Sequence, residues 1–575
     1  MKIQALPIFD EFRQRKTALV LQAQDQRRRS VEELHHRLNS GERNPRTYIE
    51  LARRLTQTEQ LETAISVLHE GLAACESDEQ LYAEAIFALE QANRTEEAIA
   101  LARRAQKSFP DLRYFGLWEA LILPVLYDTE EQVDDYRARY STGLAERIAG
   151  FNLDDFGDRR AALDAVSRHL NFYLGYQGRD DRELQEQYAG FVHAVMAANY
   201  PDWVKPLDMP SLAPGEKIRV GYISAHFRDH SVAKLFSGWL QELDRREFEP
   251  FVYHNGQSVD TVTDEIRKMT DHFRHIPGVL EPLCQAVVAD NLHIAVFLDV
   301  RHRRMMMMSA LRLAPVQCVA WAHPITSGSR TLDYYLSGDA MEPDDAQDHY
   351  SERLIRLPGL GVCYPKPIIP RPLLRKSRAD FDLSEDRVVF LCCQSIFKYL
   401  PRHDDIFVRI AKQLPAAQFV FLALNEIVAK DVLGRLRRAF AAQGLQALDH
   451  CVISPILGKF DYWNLNLLAD VFLDSLEWSG GVTTLEAIAC ELPIVTLPGR
   501  YMRGRHSYGI LTQLGVTDTI ADDEDEYVEI ACRLGVDHEW RTDVVNRMKA
   551  NQARLYSETK CVRALEDFFR SVVAA

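Results

Sequence analysis

The sequence predicts an all-α repeat domain followed by two doubly wound parallel α/β domains. Three observations predict this. Apolar residues recur at helical spacing through the first ~200 residues. Within that stretch the chain matches itself at an offset of 34. Beyond it, short and nearly continuous apolar runs alternate with helical stretches, in two series joined by a linker.

The repeat is read position by position. Tyr48 falls on Tyr82, Leu55 on Leu89, Ala64 on Ala98 and Gly71 on Ala105. Small residues let two helices approach closely, and the aromatic and leucine side chains fill the space between them. Pro110 closes the second copy, since proline cannot continue a helix. The pattern resembles a tetratricopeptide repeat over about residues 45–111. A helical pattern before it and several helices after it cover the exposed faces of the two copies. The helical domain is assigned to residues 1–205, its last helix ending at Pro201. The Pro-, Gly- and Ser-containing run DMPSLAPGEK then reads as a linker.

After the linker the runs IRVGYIS, FEPFVYHN, HIAVFLDV, VQCVAWAH and YYLSG predict a first sheet within residues 216–372. A second linker, PLLRKSRADFDLSEDR, leads to VVFLCCQS, QFVFLAL, CVISPI, DVFLDS and PIVTLPG within residues 385–575. Apolar strands with helices between them describe parallel sheets covered on both faces. Ligands of such sheets bind in the crevice at the carboxyl ends of the strands.

Bulk properties exclude some functions. The net charge of -15 argues against nucleic-acid binding as the main task. No apolar run reaches the ~20 residues of a membrane helix. The N-terminal MKIQALPIFDEFRQRK is broken by Pro7 and Asp10 and does not read as a signal peptide. The ten cysteines are scattered without a C-x-x-C pair, as expected of free thiols in a cytoplasmic protein.

Chemistry is expected just past the strand ends. His226 and His230 follow the first strand; His323, Thr326 and Ser327 follow VQCVAWA. Gln394, Ser395 and Lys398 follow VVFLCC, and Lys459 and Tyr462 follow CVISPIL. Gly480, Gly481, Thr483, Thr484 and Glu486 follow DVFLD, and Arg503, Arg505 and His506 follow PIVTLPG. In SGGVTTLEAIA the glycines permit a tight turn, the threonines are expected to cap a helix, and its N-terminus suits a diphosphate. Glu486 is placed to accept hydrogen bonds from ribose. Lys398 is a compact charge suited to a phosphate oxygen. Each residue alone has a plain structural alternative, and a Gly-Gly turn alone is weak. Their shared place at strand ends is what favours a site. The run RHRRMMMM, Arg301 to Met308, follows a strand and reaches toward the cleft, where it could contact an acidic acceptor; it reads preferentially as a helix packed on the sheet, because Met is mainly a core filler.

The stretches IRVGYISAHFRDHSVAKLF, LRLAPVQCVAWAHPITSG, CCQSIFKYLP, ISPILGKFDYW and DVFLDSLEWSGGVTTLEAIACELPIVTLPG resemble, in that order, the O-linked N-acetylglucosamine transferases and their bacterial relatives, glycosyltransferase family 41. The resemblance covers roughly residues 215–575. It implies an α/β GT-B fold of two Rossmann-like domains, preceded here by an all-α tetratricopeptide-like domain, with a C-terminal helix returning to the first Rossmann-like half. It implies an inverting, metal-independent transfer from a UDP-sugar to a protein, with no cofactor.

Residue by residue, Lys398 resembles the family's lysine on the donor diphosphate and His230 the histidine on the acceptor and sugar side. Together they form the expected catalytic pair. Lys459 and Tyr462 match nucleoside-binding positions, with Tyr462 placed to stack on uracil. Thr483 and Thr484 match the diphosphate threonines, and Glu486 the ribose acid. Gln394, Ser395, Gly480 and Gly481 complete the expected donor side. His323, with Thr326 and Ser327, belongs to the loop on the acceptor or sugar side.

Three features depart from the family pattern. Val482 stands where other members have histidine or a polar residue. The insert between the catalytic domains of animal members is absent. The repeat array is too short for a long superhelical groove.

The expected function is transfer of GlcNAc to Ser or Thr of a protein that the helical repeats could engage, with neither nucleic acid nor a membrane span involved. Glucose transfer to Asn, GDP-fucose as donor, and a repeat scaffold carrying an inactive transferase domain remain the alternatives.

Overall fold

The computed structural model describes residues 28–169 and 171–574. The N-terminal stretch read above as lacking a signal peptide lies outside them. Among the described residues, no helix is long and apolar enough to cross a membrane.

Two compact units emerge. One ends at Val125 and adds Asn425–Val428; the other holds Leu126–Leu424 and the chain from Ala429 onward.

In the first unit, helices Pro45–Gln57 and Leu61–Ala74 are followed by Glu79–Gln91 and Thr95–Ser108. Each boundary of the first pair returns 34 residues later, as 79 − 45 and 108 − 74 both give 34. Tyr48, Leu55, Ala64 and their counterparts Tyr82, Leu89, Ala98 and Ala105 are buried. A Cβ on Gly71 would lie 2.9 Å from Cγ of Tyr48, so this contact needs the smallest residue. The turns repeat as well: Glu59 and Asn93, again 34 apart, both adopt positive φ (62° and 56°). Phe109 and Phe115 close against Tyr82, at centroid distances of 5.7 and 6.3 Å.

The second unit contains two wholly parallel sheets. The first has seven strands in the order β3-β2-β1-β4-β5-β6-β7. They are β1 Ile218–Ser224, β2 Phe248–His254, β3 His272–His275, β4 Ile294–Phe297, β5 Val316–Ala320, β6 Tyr334–Gly338 and β7 Arg353–Leu357. The second has five, ordered β10-β9-β8-β11-β12. These are β8 Val388–Ser395, β9 Ala417–Ala423, β10 Cys451–Pro455, β11 Val471–Leu473 and β12 Ile494–Val495. Every run read as a strand forms one. The sequence misses β3 (HFRH) and β7 (RLIRL), which sit at the two edges of their sheet, with β3 only partly buried and arginines exposed on β7. Edge strands need not be apolar on both faces.

The helices Glu130–Ala149, Phe156–Arg168 and Arg182–Asn199 belong to this second unit, not to the repeats. Asp181, buried at the start of the last, pairs with Arg137 (3.1 Å) and with Arg503 (3.2 Å), which follows β12. A Cβ on Gly328 would lie 2.3 Å from the backbone of Gln185, and Gly328 also needs positive φ (69°). The loop after β5 is thereby pressed onto helix Arg182–Asn199. The C-terminal helix Lys560–Ala574 returns to the first sheet domain. Its Phe569 ring is 6.2 Å from that of Phe248, and Glu566 Oε1 accepts the Asp244 N–H at 2.8 Å.

Candidate functional site

The carboxyl ends of both sheets open on one cavity of about 530 Å³. From the first sheet domain come His226, His230, Arg301, His302 and Trp321; from the second come Gln394, Ser395, Lys398, Trp478, Gly481, Thr483 and His506. Phe172 and Tyr176, in the turn before helix Arg182–Asn199, form part of the wall. Tyr176 stacks on Trp478 at 3.9 Å.

Lys398 lies one short turn beyond β8. Its Nζ donates to Gln394 Oε1 at 2.7 Å, and Gln394 Nε2 donates to Thr483 Oγ1 at 2.6 Å. The ammonium sits 5.8 Å from the centre of the Trp478 ring. Burial pushes its pKa down to about 8, with Asp474 as the largest opposing charge.

Asp474, buried at the end of β11, organises the turn that follows. It accepts from Ser479 Oγ (2.5 Å), Gly480 N (2.8 Å) and Thr496 Oγ1 (2.8 Å). The helix Val482–Ala489 then begins at Gly481, which supplies no side-chain cap. This corrects the expectation that the threonines cap the helix. Thr483 takes the Gln394 bond instead, and Thr484 is fully buried with its hydroxyl 2.8 Å from Ser507 Oγ. The uncapped first turn leaves backbone N–H groups and the positive dipole end at the cavity. A Cβ on Gly480 would lie 2.5 Å from Thr484 Oγ1, 2.6 Å from Gln394 Nε2 and 2.7 Å from Thr483 Oγ1. Gly480→Ala should therefore displace this cluster from the cavity wall while the fold loses only about 1–3 kcal/mol, read as the urea unfolding midpoint.

Other expected residues lie apart from the lining. Lys459 is exposed, its Nζ 4.8 Å from the ring centre of Trp463. The Tyr462 hydroxyl sits 3.3 Å from Cys393 Sγ. Glu486 is buried and accepts from Lys234 Nζ at 3.0 Å, an ion pair that ties the two sheet domains together. Thr326 and Ser327 turn away from the cavity. Thr326 Oγ1 donates to buried Glu352 at 2.7 Å, and the Ser327 N–H reaches the other oxygen at 2.8 Å. They hold the loop rather than face a sugar. His323 is buried between lining residues Ala322 and Pro324, and burial drives its pKa down to about 3.

His230 does line the cavity. It caps helix Ser231–Gln241, its Nδ1 accepting from the Val232 N–H at 3.2 Å. The ring proton therefore resides on Nε2, and the side chain presents a donor. Burial, with His226 next, lowers its pKa to about 3. This argues against His230, the expected catalytic partner of Lys398, as a proton acceptor.

Arg301, read from the sequence as the start of a packed helix in preference to a contact for an acidic acceptor, is a lining residue of the cavity. The methionines behave as expected, Met305, Met307 and Met308 being buried in helix Arg303–Ser309. Arg301 precedes that helix and enters the cavity, 6.0 Å from the centre of the Phe172 ring. The strand-end rule applied to β4 finds it. Trp321, directly after β5, follows the same rule, while nothing local marks Phe172 or Tyr176 as lining residues. Several buried polar atoms around the cavity lack a hydrogen-bond partner among the described residues: His226 Nδ1, Arg301 Nε, His302 Nδ1, Trp321 Nε1 and His506 Nε2. Such groups are costly unless a ligand or water satisfies them.

Two Rossmann-like domains sharing one cavity at their strand ends define a GT-B protein. The family profile of glycosyl transferase family 41 matches residues 196–360 and 366–565, and the chain belongs to that family. It is 27% identical over 374 residues to the Arabidopsis thaliana protein named probable UDP-N-acetylglucosamine–peptide N-acetylglucosaminyltransferase SPINDLY, covering 63% of this chain and 39% of that protein. It is 24% identical over 405 residues to the SEC protein of the same plant and enzyme name, covering 67% and 40%. The chain thus spans about two fifths of the length of these relatives. Among solved structures, a mutant of the Thermobaculum terrenum O-GlcNAc transferase shares the fold. Its TM-score is 0.67 at 23% identity, covering 92% of this chain and 97% of that one.

Proposed function

We propose that this protein transfers a sugar, GlcNAc foremost, from UDP to a Ser or Thr hydroxyl of a protein, with inversion and without a metal. The observation that carries the reading is the half-buried Lys398, linked through Gln394 to Thr483 beside an uncapped helix N-terminus. A cation and a helix dipole converging in a half-enclosed cavity suit a diphosphate as it gathers charge on leaving. The names of the relatives support a UDP-GlcNAc donor and a peptide acceptor. Charge stabilisation then falls to Lys398, with Arg301 as a second cation in the cavity.

The test is UDP release from UDP-GlcNAc, UDP-glucose, UDP-galactose and GDP-fucose, each with and without EDTA. Selective, EDTA-resistant release from UDP-GlcNAc is the expected result; release only with a metal, or none together with no UDP binding, would overturn the reading.

A pH prediction follows from Lys398. Its free-state pKa of about 8 means that the diphosphate meets a mostly charged lysine at neutral pH and a mostly neutral one only once the pH exceeds that value. UDP affinity should fall as pH rises through about 8, and binding there should draw a proton from solution. Calorimetry in buffers of different ionisation enthalpy measures that uptake. Equal affinity on both sides of this pH would contradict a diphosphate contact at Lys398.

A further inference from the structure

The proposed transfer needs a group to take the acceptor's proton, and none of the described lining residues is an aspartate or glutamate. Four imidazoles line the cavity: His226, His230, His302 and His506. His230 has its Nδ1 engaged by the Val232 N–H and offers only a donor. His506 Nδ1 faces the Ser479 carbonyl at 3.2 Å, which leaves Nε2 with a lone pair, but the nearby charge is Lys398, which opposes an imidazolium. Burial and then Arg304 oppose an imidazolium at His302; Asp299 favours one there, but His226 and Arg303 oppose it further.

His226 differs. Its Nε2 lies 3.9 Å from Oδ1 of Asp299, a fully buried carboxylate just past β4. Asp299 Oδ2 accepts from Ser224 Oγ at 2.8 Å, while Oδ1 has no hydrogen-bond partner among the described residues. The carboxylate is thus fixed through one oxygen and open through the one nearer the imidazole. The ring stacks on His230 at 4.0 Å. Other groups facing it are Arg228, Arg301, His254 and His302. Burial and the arginines keep His226 neutral at rest; Asp299 favours its charged form.

We propose that His226, backed by Asp299 as a positioning residue, takes the proton of the acceptor hydroxyl. The step rests on the transferase reading above. The acceptor O–H bond breaks and its proton passes to Nε2, since Nδ1 is buried. The oxygen's electron pair forms the bond to the anomeric carbon. The bond from that carbon to the diphosphate oxygen breaks, and its pair leaves on UDP. His226 returns the proton to water as products depart.

The test compares wild type, His226→Asn and Asp299→Asn in the full chain. UDP release from UDP-GlcNAc with water as acceptor is followed across pH, beside UDP binding. His226→Asn should lose ~100-fold or more in turnover, with UDP affinity unchanged within about threefold. Activity should fall at low pH as His226 becomes protonated. Asp299→Asn lowers the imidazole pKa, so that acid limb should move to lower pH while the plateau drops. A His226→Asn protein within about threefold of wild-type turnover overturns the proposal. So does an unmoved acid limb.

Histidine NMR gives a readout independent of turnover. The His226 resonance, identified by its loss in His226→Asn, should titrate at lower pH in Asp299→Asn. A protein that binds UDP but whose His226 midpoint ignores Asp299 overturns this step alone. A wild type that binds no UDP overturns the transferase reading, and this step with it.

Discussion

Lys398→Ala is expected to reduce turnover by ~100-fold or more, the scale of losing one preorganised donor to a developing charge. The loss should appear in the chemical step more than in affinity, because the helix N-terminus remains to hold the diphosphate. The variant should not be less stable than wild type. A lysine held near a pKa of about 8 by burial is disfavoured in its charged form, so the folded state carries a penalty at every pH below that value. The penalty declines as pH rises from there toward the ordinary lysine range. Removing the ammonium removes it, and the melting temperature at neutral pH should hold or rise. A large loss of activity with unchanged or raised stability marks a functional lysine. Normal turnover, or a collapse in stability, contradicts the role.

The second large effect concerns stability. Arg435 is 3% exposed and pairs with Asp404 through both oxygens, at 2.8 and 2.9 Å. It also donates to the carbonyls of Tyr127 and Tyr399, each at 2.8 Å. One guanidinium therefore joins the helix it stands on, Glu426–Ala441, to the start of helix Asp404–Gln413, to the segment after β8 that carries Lys398 and to the chain at Tyr127. Asp404→Ala or Arg435→Leu leaves an uncompensated buried charge or its equivalent in bare acceptors. Each should destabilise the second unit by about 3–5 kcal/mol, read as a lower urea midpoint. The double replacement by leucine should recover part of the loss but not all, since two carbonyls stay without donors. Additive losses in the double variant would refute the coupling.

Much of this protein is legible in its sequence because the relevant signals are local. The 34-residue offset locates four helices, since a helix–turn–helix unit repeats its small residues wherever backbones touch. Unbroken runs such as VVFLCCQS locate strands, because a parallel strand is buried on both faces. Only the polar edges β3 and β7 escape that rule. Lys398, Gln394 and Thr483 are found from their place at strand ends, and the structure brings them together.

Other features depend on partners distant in the chain. Thr326 and Ser327 look like site residues until Glu352 is seen to take their hydrogen bonds. Thr483 and Thr484 look like helix caps until Gln394 and Ser507 claim them. The turn at Phe172–Tyr176 carries no strand-end signal and joins the cavity wall only because Tyr176 stacks on Trp478.

The sequence by itself determined the repeat, the order of the two sheets, the family and the lysine at the end of β8, because periodicity, burial and strand-end position are carried by neighbouring residues. Only the tertiary structure decided which polar groups face the cavity and which are spent inside the fold. That choice depends on hydrogen-bond partners tens to hundreds of residues away: Gln394 lies 89 residues from Thr483, and Asp299 lies 75 from Ser224. A buried polar group is satisfied by whatever the fold brings within reach, and no local pattern records that.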